Sequence, residues 1–198
     1  VLIEHEGARP RLHPTAWVAP TATLCGDVSV GPGARVMHGA QLVAEGGPIA
    51  VGRNGIVLEN AVLRGAPGRP LTLGDDCLVG PHAHLVGCTV EDEVFVATGA
   101  AVFHGARLGR GSEVRVHGVV HLRSRLAEGT VVPIGWIAVG DPAEILPPDA
   151  HERVWAIQEP LDFPGTVYGI PRSEATMRAI TRRVSERLGG HVGAAPLA

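Results

Sequence analysis

Residues 90–132 read VEDEVFVATGAAVFHGARLGRGSEVRVHGVVHLRSRLAEGTVV, and every sixth position is aliphatic: Val90, Val96, Val102, Leu108, Val114, Val120, Leu126 and Val132. Four places after most of them stands a small residue, as at Val94, Ala100, Ala106, Ser112, Gly118, Ser124 and Thr130. A period of six is neither the 3.6 of a helix nor the two of a plain strand. It suits short flat strands joined by corners, three strands to a coil, so that about eighteen residues close one turn of a triangular prism. The aliphatic side chain points inward and the small one fits beneath the next corner. Coils then stack at the inter-strand spacing of roughly 4.8 Å. An ordinary β-sandwich has no need of a six-residue phase held over so long a stretch.

The same phase runs upstream through Val18, Leu24, Val30, Val36 and Leu42, resumes at Val51, Val57 and Leu63, and again at Leu73, Val79 and Leu85. Three irregularities separate these runs. Extra residues fall around Glu45-Gly46-Gly47-Pro48 and around Ala66-Pro67-Gly68-Arg69-Pro70, and the step from Leu85 to Val90 is one residue short. Extra residues must bulge outward, because a packed interior cannot hold them. All three lie in the middle coils, which makes that region the place to expect a site.

Hydrophobic residues make up 45% of the 198 and charged residues 19%, the balance of a globular chain. Gly (27) and Pro (16) are abundant and aromatics only 4%, which suits tight corners around a narrow interior of Val, Leu and Ala. A formal net charge of −3 gives no electrostatic reason to expect nucleic acid or an anionic membrane as partner. Cys25, Cys77 and Cys88 form no CxxC pair and are too few for a disulfide framework, so a cytoplasmic setting is expected. No apolar run approaches the roughly 20 residues of a membrane helix. The opening VLIEHEGARP lacks a signal-peptide pattern, and it begins without Met, so further sequence is expected upstream.

Two domains are expected: a β-helix over 12–146, and a helical extension over 147–198 packed on the prism or on a neighbouring subunit. The extension reads as a short helix from Pro148 to about Gln158, the loop EPLDFPGTVYGIPR, and a last helix from Ser173 to Leu188. Ser173 is the expected N-cap and Gly189 the expected stop. Met177, Ile180, Val184 and Leu188 share one face of that helix.

The segments PIAVGRNGIVLENAV, GRPLTLGDDCLVG, HLVGCTVEDEVFVATGAAVFHGA and VVPIGWIAVGDPAEIL, within Gly26 to Ile145, resemble the γ-class carbonic anhydrases. Those enzymes share a hexapeptide solenoid with a large group of acyltransferases. The GCTV motif and the long loop before Leu71 are the more specific marks, whereas the VGDPAEI ending occurs in both groups. The resemblance implies an all-β solenoid, a left-handed parallel β-helix with C-terminal α-helices. It also implies a homotrimer with active sites between subunits. In the family a metal is held by three His, two from one subunit and one from its neighbour. The matching positions here are Arg64, Pro81 and Val86, none of them a metal ligand. A family Arg and Asp in the preceding loop fall on Val43 and Glu45.

Zinc catalysis needs N, S or O ligands and an open position for a water whose pKa the metal lowers to about 7. With no donor at those three positions, CO2 hydration by the zinc mechanism is not expected. Zinc enters as a cofactor only through a rebuilt site, for which His82 or His84 with Glu45 or Glu59 across a subunit boundary are the candidates. Arg64 puts a fixed positive charge where the family has its metal. It serves either as an anion-binding group, with His82 or His84 as acid/base, or as half of a structural pair with Glu45 or Glu59. The candidate site residues are therefore Arg64, Glu45, Glu59, His82 and His84.

Three functions compete. The first is a diverged lyase- or hydrolase-type enzyme acting on a small anionic or thioester substrate at a subunit interface. The second is a CoA-dependent acyltransferase with His104 or His121 as base. The third is a non-catalytic trimeric scaffold.

Overall fold

The computed structural model describes residues 1–197. The eight aliphatic positions between 90 and 132 are all buried, none more than 2% exposed. Their alternation with outward residues gives strands of only two to four residues, as in Phe95–Val96 and Arg107–Leu108. From Leu2–Glu4 as far as Val119–Val120, each strand pairs with the strand three places on in the chain. Thr23–Cys25 pairs with Gln41–Ala44, and the series continues through Val62–Gly65, His84–Val86, Ala101–Val102, Val119–Val120 and Ile137–Val139, all parallel. One ten-stranded and two seven-stranded sheets result, the three walls of a prism. Leu63 has Leu42 as register partner on one side and Leu85 on the other. All three are fully buried, so inward residues form axial stacks.

The three irregularities fall at one corner, beside the C-terminal end of the ten-stranded sheet's strands. Glu45 N–H donates to the Gly65 carbonyl at 3.3 Å, and Gly87 N–H to the Arg64 carbonyl at 2.8 Å. The second insertion is a tight antiparallel hairpin, Ala66 and Arg69 exchanging two backbone hydrogen bonds of 3.0 and 2.8 Å. Two glycines are forced by this crowding. A Cβ on Gly65 would lie 1.8 Å from the Gly47 carbonyl oxygen, and one on Gly47 2.4 Å from that of Ala66.

The chain leaves the prism through Glu144–Leu146, antiparallel to Ile137–Val139. Helix α1 runs over His151–Gln158, later than expected from Pro148, and buries Val154. The expected loop instead contains helix α2, Phe163–Tyr168, because Asp162 caps the Gly165 N–H and Pro164 stands in its first turn. Helix α3 spans Met177–Leu188 and is capped by Thr176, whose hydroxyl accepts from Ala179 N–H at 3.2 Å. Ser173 lies before it in a short 3-10 turn, so the helix begins later than the sequence suggested. No residue of α3 is fully buried. The tail then returns to the first coil, where Ala195–Pro196 pairs antiparallel with Leu2–Glu4. Among the described residues, no helix is long and apolar enough to cross a membrane.

Candidate functional site

Arg64 and Glu45 meet at the irregular corner. Arg64 sits near the end of Val62–Gly65, and Glu45 follows the neighbouring strand Gln41–Ala44 by one residue. The Arg64 guanidinium donates to Glu45 Oε2. Glu45 is buried, and its second oxygen lies 4.0 Å from Arg187 Nε and 3.5 Å from His191 Nε2. Burial alone would raise its pKa. The hydrogen bond and charge of Arg64, joined by Arg187 and His191, outweigh that and hold Glu45 below the ordinary carboxylate range.

His84 is the cross-strand partner of Val62, two residues before Arg64, and is exposed. Partial desolvation and then the Arg64 charge lower its pKa. His82 and Glu59 sit at another corner, where His82 N–H donates to the Glu59 carbonyl at 3.0 Å. Within one chain these two stand apart from the Arg64–Glu45 pair. Arg64 and Val86 are register partners, so two of the three positions that the resemblance sets against metal ligands stand side by side. Pro81 and Val86 carry no donor atom and Arg64 is committed to Glu45. These residues do not fit a metal ion. Neither His82 nor His84 joins a group of three metal-ligating side chains among the described residues. The group that does form is His5, Cys25 and His191.

A cavity of about 290 Å³ opens beside this corner, between the Ala66–Arg69 hairpin and helices α2 and α3. Arg69, Arg183 and Arg187 line it together with His104, Thr166 and Tyr168, and no carboxylate does. Arg69 and Arg183 make no salt bridge among the described residues. Arg69 reaches the site because Gly105 has no side chain: a Cβ there would lie 2.9 Å from an Arg69 guanidinium nitrogen. His104 Nδ1 is buried without a hydrogen-bond partner. Desolvation, then Arg69, Arg187, His84 and Arg64, push the His104 pKa down to about 4. His104 is therefore a neutral imidazole in a field of guanidinium groups.

His104 is legible in the sequence only as a candidate acyl-transfer base, and the convergence of the three arginines on it is not. The i, i+4 spacing of Arg183 and Arg187, which places them on one helix face, was the available signal. His121 lies elsewhere, in a cavity of about 250 Å³ with Trp155, Phe163 and Arg172. Its Nδ1 is also unpartnered, and desolvation lowers its pKa to about 4.

No protein-family model matches the sequence. The chain is 30% identical over 156 residues to a mitochondrial γ carbonic anhydrase of Arabidopsis thaliana, covering 76% of this chain and 54% of that one. It is 31% identical over 109 residues to the carnitine operon protein CaiE of Escherichia coli, covering 55% and 56%. The chain thus spans about half the length of these curated relatives. Among solved structures, a hexapeptide transferase family protein from Anaplasma phagocytophilum superposes with a TM-score of 0.51 at 22% identity, covering 96% of this chain and 93% of that one. That likeness bears on the fold alone. The solenoid, the six-residue phase and the sequence similarity agree: the chain is a hexapeptide-repeat left-handed β-helix whose sequence is γ-carbonic-anhydrase-like.

Proposed function

We propose that this protein is a diverged γ-carbonic-anhydrase-like enzyme that takes a small anionic or thioester substrate, a carboxylate foremost, into the cavity beneath α3. The observation that carries this reading is the convergence of Arg69, Arg183 and Arg187 on neutral, unpartnered His104 with no carboxylate among the lining residues. Guanidinium groups bind carboxylate and phosphate through paired hydrogen bonds, which favours an anion over a neutral ligand. Bound negative charge would offset the arginines that depress His104 and bring its pKa nearer neutrality, where acid/base catalysis is most effective. Arg64, paired with Glu45, and His84 stand beside the cavity in the same chain and add to the field on His104, whereas Glu59 and His82 would approach it only from a neighbouring subunit. A homotrimer is part of the proposal, supported by the family resemblance and by the unburied α3, whose Met177 and Leu188 are exposed.

Titration calorimetry with bicarbonate, acetate, phosphate and acetyl-CoA tests the reading. Losing one charge-assisted pair costs about 1.5–3 kcal/mol, so Arg69→Ala should weaken the best anion roughly 10- to 150-fold. Unchanged affinity would remove Arg69, and with it this cavity, from the site. A second reading, acyl transfer, is favoured by His121 in its separate aromatic-lined cavity. Protection by acetyl-CoA that is lost in His121→Gln and kept in Arg69→Ala would select it. Failure of every ligand to bind would leave the trimeric scaffold.

A further inference from the structure

We infer that His5, Cys25 and His191 form a binding site for a divalent transition-metal ion, zinc by its donor set, that clips the C-terminal tail to the first coil. The site lies outside the cavity proposed above and at none of the positions matching the family's histidines. Its three ligand atoms lie within 4.8 Å of one another. Two imidazoles and a thiolate are a zinc-type set, and Cu2+ or Co2+ would also be accepted.

The backbone explains the convergence. Leu2–Glu4 pairs with Thr23–Cys25, with Ile3 opposite Cys25, so His5 follows two residues beyond that contact. The tail strand pairs on the other side of Leu2–Glu4 and carries His191 back to the same place. The His5 and His191 rings stack near-parallel, centroids 4.2 Å apart at 6°; because an imidazole ligates in its own plane, binding one ion through both requires one ring to turn out of this stack.

Packing alone does not account for the polar atoms gathered here. His5 is 4% exposed, and its Nδ1 has no hydrogen-bond partner. Glu45 is 6% exposed and its Oε1, 3.5 Å from His191 Nε2, is likewise unpartnered. Buried polar atoms without partners are costly. A cation beside them would satisfy the imidazoles and draw on the Glu45 charge, which either orients His191 or fills the fourth position. Binding also removes the Cys25 proton, which burial and Glu45 otherwise hold on the thiol.

The full chain, stripped with chelator under reducing conditions, is titrated with Zn2+ and separately with Co2+. We expect about one equivalent per chain and a rise in melting temperature of about 5–10 °C at 100-fold excess over Kd. The Co2+ form should show thiolate-to-metal charge-transfer absorption. That absorption should vanish in Cys25→Ser, with Co2+ affinity reduced at least about 10-fold in His191→Gln and unchanged in His84→Ala. His191→Gln lies on the tail and leaves the prism intact, which keeps the test open should Cys25→Ser fold poorly. Less than about a tenth of an equivalent, or a Co2+ spectrum that survives Cys25→Ser, overturns the inference.

Discussion

Arg64→Ala is the most informative single change, because it separates a charge held for structure from one held for a ligand. Removing the guanidinium leaves Glu45, whose side chain is 8% exposed, without its side-chain hydrogen-bond donor among the described residues. Breaking a fully buried pair costs about 3–5 kcal/mol. Here the Arg64 side chain is 34% exposed and therefore partly screened, and Arg187 and His191 remain near the carboxylate. Those two facts reduce the cost to about 2 kcal/mol. For a chain of this size that is a fall in melting temperature of about 4–8 °C at pH 7.

The loss must depend on pH with a definite sign. The folded-state pKa of Glu45 is depressed, so its contribution is complete above the unfolded value of about 4.3 and disappears as pH falls through the folded value. Melts of both proteins at pH 7 and at about pH 3 should show the gap narrowing in acid. Adding Glu45→Gln to Arg64→Ala should recover part of the loss at pH 7, since no orphaned charge is left. A gap below about 1 °C at pH 7, or one equal at both pH values, would refute the assignment of a buried, stabilising ion pair.

Two further outcomes follow from the same corner and its histidines. Gly65→Ala sets a methyl group 1.8 Å from the Gly47 carbonyl and should cost about 3 kcal/mol. Gly68→Ala, which has open space but a φ of +66°, should cost only about 1 kcal/mol, and equal urea midpoints for the two would contradict the close approach. His104 and His121 stay neutral in the folded protein down to about pH 4, while unfolded His titrates near 6.5. In that window the unfolded chain binds more protons, so stability is full above about pH 6.5 and falls as pH drops toward 4. His121→Gln should flatten that slope in urea melts from pH 7 to 5; an unaltered slope would sink the assignment.

The six-residue phase was enough to determine the prism, its inward residues and the middle coils where the chain bulges. Each of these is local: an aliphatic residue at a fixed offset must face the interior wherever the coil repeats. That Arg64, Pro81 and Val86 offer no metal-donor atom was equally readable, since it follows from side-chain chemistry alone. The pairing of Arg64 was left open between Glu45 and Glu59, and tertiary structure decided it. Only Glu45 stands at the same corner on the adjacent strand. The cap at Thr176 and the helix hidden in EPLDFPGTVYGIPR turned on which of several polar residues met a free N–H, a choice settled by a few ångströms of backbone.

Two groupings could come only from the folded chain. Arg69 and His104 meet Arg183 and Arg187 because α3 folds back over the prism, and His5 and Cys25 meet His191 because the tail pairs with the first strand. Periodicity within a repeat is blind to contacts between the prism and a segment that does not repeat. Such contacts depend on where a non-repeating extension lands, which is set by the summed packing of its helices and not by any local pattern.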